Sequence, residues 1–161
     1  MKAVSWTRRK GLKGLLLAGI SGTWLSSQFA HAQRMNSGRL LSLEDMVQPI
    51  VRGAKLVKKE LQIEAPILAD NGSLVPIQIQ VQSPMSEQDH VTQIYLLSQR
   101  NPVTQMAVFQ LGPWNGRAEV STRVRLAGTQ EVIALARLSN GEFRYKQMEI
   151  IVTESACVDA S

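Results

Sequence analysis

The sequence of 161 residues contains one cysteine, Cys157, close to its end. A single cysteine excludes an internal disulfide framework and a CxxC redox pair. Histidine is nearly as scarce, with only His31 and His90. No zinc-ligand pair and no glycine-rich phosphate loop occurs. The longest apolar stretch, from Gly14 to about Leu25, is broken by Gly and Ser and is too short to span a bilayer. Charge of one sign is also missing from most of the chain. The formal net charge is +5, but Lys2, Arg8, Arg9, Lys10 and Lys13 all lie before Ala32. From Gln33 onward Lys/Arg and Asp/Glu are equal in number, so a nucleic-acid partner has no electrostatic footprint there.

Residues 1–32 have a basic start, an apolar middle and Ala30-His31-Ala32 before Gln33. This is the pattern of an export signal cleaved after Ala32, with no membrane anchor left behind. Thr7-Arg8-Arg9-Lys10-Gly11-Leu12-Lys13 fits a twin-arginine leader, apart from Gly11 where phenylalanine is usual. The expected destination is the periplasm, which permits oxidised sulfur chemistry.

Residues 33–41 read as a linker. Ser42 then opens a helix, with Asp45 positioned for a capping box and Glu44 and Asp45 in the first turn. Leu43, Met46, Val47, Ile50, Ala54 and Val57 recur at helical spacing and predict one apolar face to about Lys58. On that reading Lys55, Lys58 and Lys59 fall in the last turns, where the helix dipole favours cations. Pro49 and Gly53 weaken this reading without cancelling it.

From Leu61 the period changes to two. Val75, Ile77, Ile79 and Val81 alternate with polar residues and mark a strand with one buried face; Pro76 places its start at an edge. Further strands are expected near 61–68, 90–98, 104–111, 117–126, 130–138 and 142–153. Asp70-Asn71-Gly72, Ser83-Pro84, Asn101-Pro102, Asn115-Gly116 and Asn140-Gly141 supply the turns. Asn140-Gly141 is the preferred type I′ hairpin pair, so the last two strands should pair antiparallel. Seven short strands after one helix predict a mainly β fold, an immunoglobulin-like antiparallel β-sandwich with one N-terminal helix.

Chemistry has few places to sit. His90 lies beside Asp89 at the start of a strand and reads as a surface turn residue. His90, Cys157, Met85, Met106 and Met148 lack the clustered spacing of a copper site, so neither a metal nor a cofactor is expected. Arg123 and Arg125 share one face of Ser121-Thr-Arg-Val-Arg-Leu126, where a solvated face suffices. Cys157 remains, on a short polar tail from Glu154 to Ser161, where a thiol is expected to be exposed. Asp159 and the terminal carboxylate disfavour its thiolate, which fits a thiol worked on by other proteins better than an autonomous nucleophile.

Leu61-Gln-Ile-Glu-Ala-Pro-Ile-Leu-Ala-Asp-Asn-Gly-Ser-Leu-Val-Pro76, Val81-Gln-Ser-Pro-Met85, Asn101-Pro102, Gly116-Arg-Ala-Glu-Val-Ser-Thr-Arg-Val-Arg-Leu126, Val132-Ile-Ala-Leu-Ala136 and Ser139-Asn-Gly141 occur in this order. In them the chain resembles the SoxY family, the sulfur-carrier subunits of the periplasmic Sox thiosulfate-oxidation system. The resemblance covers the chain after the leader. It divides that chain into a helix plus β-sandwich domain at 42–153 and a flexible cysteine-bearing arm at 154–161.

The resemblance implies a carrier rather than an enzyme. It implies a heterodimer with a SoxZ-like β-sandwich subunit and covalent attachment of thiosulfonate or persulfide sulfur at Cys157. It also implies presentation to a haem-containing ligase, a sulfate-releasing hydrolase and a sulfane dehydrogenase. The family's arm ends in Gly-Gly-Cys-Gly-Gly. This chain departs from that, with Ala156 and Val158 flanking the cysteine and Asp159-Ala160-Ser161 beyond it. A second class stays open: a non-catalytic immunoglobulin-like interaction subunit, dimerising with a SoxZ-like partner or through a Cys157 disulfide.

Overall fold

Ser42 caps the only α-helix among the described residues, 40–155 of this computed structural model. Its Oγ accepts from the Asp45 N–H at 3.2 Å and the Asp45 carboxylate accepts from the Ser42 N–H at 3.3 Å, the reciprocal box expected from the spacing. The helix, α1, spans Leu43–Val51 and stops well short of Lys58. Two consecutive residues turn left-handed, Arg52 at φ 48 and Gly53 at φ 82, and the Arg52 N–H closes the last turn on Gln48 O at 3.0 Å. Lys55, Lys58 and Lys59 therefore lie beyond the helix, and the expected dipole interaction does not apply to them. The chain leaves the helix because Leu56–Val57, strand β1, pairs parallel with Phe143 and Arg144. Tertiary pairing outweighs the apolar periodicity that ran on to Val57.

Met46, Val47 and Val51 on α1 are buried against Leu97, Ile133, Leu135 and Phe143. Each side chain so buried contributes about 1.5–3 kcal/mol, and this stripe rather than propensity holds so short a helix.

The expected strand at 61–68 divides in two, β2 at Leu61–Glu64 and β3 at Leu68–Asn71. Ala65-Pro66 separates them, since Pro66 has no N–H to give to a ladder. The halves join different sheets. The other strands are β4 Val75–Val81, β5 Val91–Ser98, β6 Gln105–Gln110, β7 Ala118–Val124, β8 Gln130–Leu138 and β9 Phe143–Glu154. One sheet runs β1-β9-β8-β5-β6 with β3 also against β9; the other runs β2-β4-β7. Apolar residues of the two sheets meet in the main core, including Ile77, Ile79, Ile94, Leu96, Val132 and Ile150. This is the mainly β, two-sheet sandwich with an N-terminal helix that the alternation predicts.

Val75, Ile77, Ile79 and Val81 are all buried, as their spacing requires. β4 is the middle strand of its sheet, yet β2 reaches only from Gln78 to Val81 along it. Pro76 pairs with Arg123 on one side and lies beyond β2 on the other, so it occupies a local edge. β8 is covered on both faces: Val132, Ala134 and Ala136 point to the main core, while Ile133 and Leu135 point to α1. Its pairing with β9 is antiparallel from Gln130↔Ile150 to Arg137↔Phe143.

The turn joining them is not type I′. Among 138–142 only Gly141 has positive φ, at 85, and its N–H bonds to Leu138 O at 3.0 Å while the Leu138 N–H bonds to Glu142 O at 2.9 Å. That is a three-residue loop, a type I turn completed by a glycine bulge.

Candidate functional site

β9 is the longest strand described, and its far end carries the start of the tail. Leu68, Ala69 and Asn71 of β3 pair with Ile151, Val152 and Glu154. The Gly72 N–H donates to Glu154 O at 2.8 Å. Thr153 Oγ1 donates to Asp70 O at 2.7 Å, and the Val152 N–H donates to Thr129 Oγ1 at 3.0 Å. Backbone and side chains thus hold β9 up to its last residue.

Beneath this clamp lies a buried polar knot. Ser98, Asn101 and Gln130 are the buried polar side chains of the described residues. Ser98 Oγ donates to Gln130 Oε1, and Gln130 Nε2 donates to Asn101 Oδ1 at 3.0 Å. Asn101 Nδ2 donates to Arg125 O at 2.8 Å, and Asn101 Oδ1 accepts from the Ala127 N–H at 2.9 Å. The knot ties the 99–104 loop to the 125–129 loop and satisfies polar groups that burial would otherwise penalise. The Leu126 N–H reaches Gly72 O at 2.8 Å, which brings the Asn71-Gly72 turn into the same platform. Asn101-Pro102 was legible as a turn, but no local pattern connects Ser98 and Asn101 to Gln130, so distant in sequence.

Cys157 lies outside the described residues, which end at Ser155 on this platform. The other residues singled out from the sequence do not converge. His90 staples a turn, its Nδ1 3.0 Å from Ser86 O and its N–H donating to Ser139 Oγ at 3.2 Å. Met85 is buried, its sulfur accepting from the Val91 N–H at 3.4 Å. Met106 packs against the main core, and Met148 lies on β9. Among the described residues, no three His, Cys, Asp or Glu side chains form a metal-binding group. Arg123 and Arg125 are exposed.

A second charged group surrounds Arg144, whose Nη1 contacts Glu60 Oε2 at 2.9 Å and donates to Gln82 O at 2.6 Å. Lys55 Nζ contacts Glu142 Oε2 at 3.1 Å. The hydrogen bond from Lys55 holds the Glu142 carboxyl below its usual range, aided by the positive charges of Lys55, Lys59 and Arg144 and opposed by partial burial. This network fastens the loop after α1 to the start of β9.

These features define a class: a two-sheet β-sandwich with a helix on one outer face and its longest strand clamped just before a cysteine-bearing tail. The chain belongs to the family of sulfur oxidation protein SoxY, whose model matches residues 47–157, a span that includes Cys157. Among solved structures, the sulfur carrier protein SoxY from Chlorobium limicola f. thiosulfatophilum is similar, with 26% identity and a TM-score of 0.58 over 69% of this chain and 96% of that one. A superoxide reductase (neelaredoxin) from Ignicoccus hospitalis is similar at 16% identity and a TM-score of 0.51, over 58% of this chain and 80% of that one. This second likeness shows the shared sandwich fold alone. No curated protein matches the chain significantly.

Proposed function

We propose that this protein is a periplasmic covalent sulfur carrier in sulfur oxidation, not an enzyme, and that Cys157 is its attachment residue. One observation carries the reading: the family match runs through residue 157, the only cysteine of the chain. The clamp on β9 supplies the mechanical part. Glu154 is held at its carbonyl, so the short run from there to Cys157 sets the reach from a fixed point, at most about 11 Å. The cargo is thiosulfonate or persulfide sulfur on Sγ, and no cofactor takes part on this chain.

Loading joins the thiolate to the sulfane sulfur of thiosulfate. Two electrons leave in that step, and the haem-containing ligase implied by the family resemblance would accept them. A hydrolase then adds water across the sulfur–sulfonate bond, releasing sulfate and leaving a persulfide, and a sulfane dehydrogenase oxidises that sulfur on the carrier and accepts its electrons. A SoxZ-like subunit completes the heterodimer. Ala156, Val158 and Asp159-Ala160-Ser161 make a bulkier tail than paired glycines, so the partner channels must be wider than those that admit Gly-Gly-Cys-Gly-Gly.

The test is the intact mass of the mature protein from thiosulfate-grown source cells, before and after mild reduction. A reducible adduct of sulfane or thiosulfonate mass on the Cys157 peptide is expected. An unmodified thiol, or only a disulfide dimer, would overturn the carrier reading in favour of an interaction subunit.

A further inference from the structure

Arg100 stands where the tail leaves the sandwich. A methyl carbon added to Gly128 would lie 2.9 Å from Arg100 Nη1 and 3.4 Å from Ser155 Oγ, so guanidinium and hydroxyl both lie beside the glycine. The backbone of Arg100 is fixed in the buried knot, its N–H donating to Gln130 Oε1 at 2.9 Å. Among the described residues, the ion pairs involve Lys55, Lys59 and Arg144 but not Arg100. Gly128, at φ 144, leaves the space between Arg100 and Ser155 free of a side chain. A positioned, exposed guanidinium that has no carboxylate partner among the described residues, beside Ser155 at the root of the cysteine-bearing tail, is an anion receptor in the making.

We propose that Arg100 is a specificity residue that receives the sulfonate end of a thiosulfonate carried on Cys157, docking the loaded tail over Gly128. The proposal rests on the carrier reading above. Only Ala156 separates Ser155 from Cys157, which keeps their Cα atoms within about 7 Å and Arg100 within reach of an adduct. A thiosulfonate ends in three oxygens and a negative charge, which the planar fork of Arg100 can meet with two parallel N–H donors. A persulfide is anionic too but offers one sulfur acceptor, so it is held less firmly. Arg100 thus separates the sulfonated state of the carrier from the sulfane state, which a bare cysteine on a tail does not do.

Tetrathionate installs the adduct without any partner: the Cys157 thiolate attacks a central sulfur, forms Cys–S–S–SO₃⁻ and releases thiosulfate. Hydrogen exchange is then compared between this form and the iodoacetamide-capped form of the mature protein. The expected result is amide exchange about threefold slower at 126–130 and 153–155 in the adduct form, an effect of the size that one screened charge pair at such range supplies. Arg100→Gln should abolish the difference and Arg100→Lys should keep only part of it, with thermal melts showing that both variants fold. Equal exchange in the two wild-type forms, or protection that survives in Arg100→Gln, would overturn the proposal. Because the adduct is installed chemically, this outcome is independent of whether source cells load Cys157, which the intact mass decides.

Discussion

Gln130 and Asn101 meet in the interior, Nε2 to Oδ1 at 3.0 Å, and through that contact two loops far apart in sequence become one platform under the carboxyl-terminal strand. Both side chains are buried and each holds other partners. Asn101→Ala and Gln130→Ala should therefore each cost about 1–3 kcal/mol in denaturant unfolding, because the abandoned partners stay buried. The double variant should lose less than the sum, with a coupling of about 0.5–3 kcal/mol. Additive losses would show that the two side chains act separately.

Cys157→Ser should leave the thermal midpoint unchanged and remove every reducible sulfur adduct. The clamp that holds β9 is complete at Glu154, before this residue, so the expectation is that the sandwich folds without its thiol. A midpoint lowered by several degrees would mean that the thiol is part of the packing.

Gly141→Ala tests the hairpin. Nothing lies within 4 Å of an added methyl at Gly141, so the cost is backbone strain alone at φ 85. The loss should be about 1–2 kcal/mol, read from the shift in denaturant midpoint. A neutral result would mean that the turn rearranges.

Acid should loosen the network that joins the loop after α1 to β9. Glu142 has a carboxyl lowered from the ordinary 4.5, chiefly by the Lys55 hydrogen bond. A lowered folded-state value means a contribution present in full above the ordinary value and lost as pH falls through the lowered one. Thermal midpoints followed downward from neutral pH should fall less steeply in Glu142→Gln than in wild type. Parallel curves would remove Glu142 from the acid response.

Periodicity made most of the sandwich legible. Val75 to Val81 alternates because one sheet face is buried, and such a pattern needs no knowledge of its neighbours. The helix boundary was not legible in the same way, since Ala54 and Val57 continue the apolar spacing and only the pairing of Leu56 and Val57 with β9 ends it. Nor was the type of turn at Asn140-Gly141, where the glycine bulge sets the geometry. At the candidate site, Cys157 stood out by its rarity, its place on a short polar tail and the family resemblance. Arg100, Gly128 and the Ser98–Asn101–Gln130 knot did not, because their roles arise only when loops distant in sequence close on one another.

β9 is also the last of the described strands to be synthesised, and it is the partner of β1, of β3 and of one side of β8. Two of those pairings are parallel and join the beginning of the domain to its end. The larger sheet has no way to close on a nascent chain until that strand is available, and contacts of such long sequence separation form slowly. A chain interrupted before Phe143 leaves the edges of β1, β3 and β8 that pair with β9 open to other molecules.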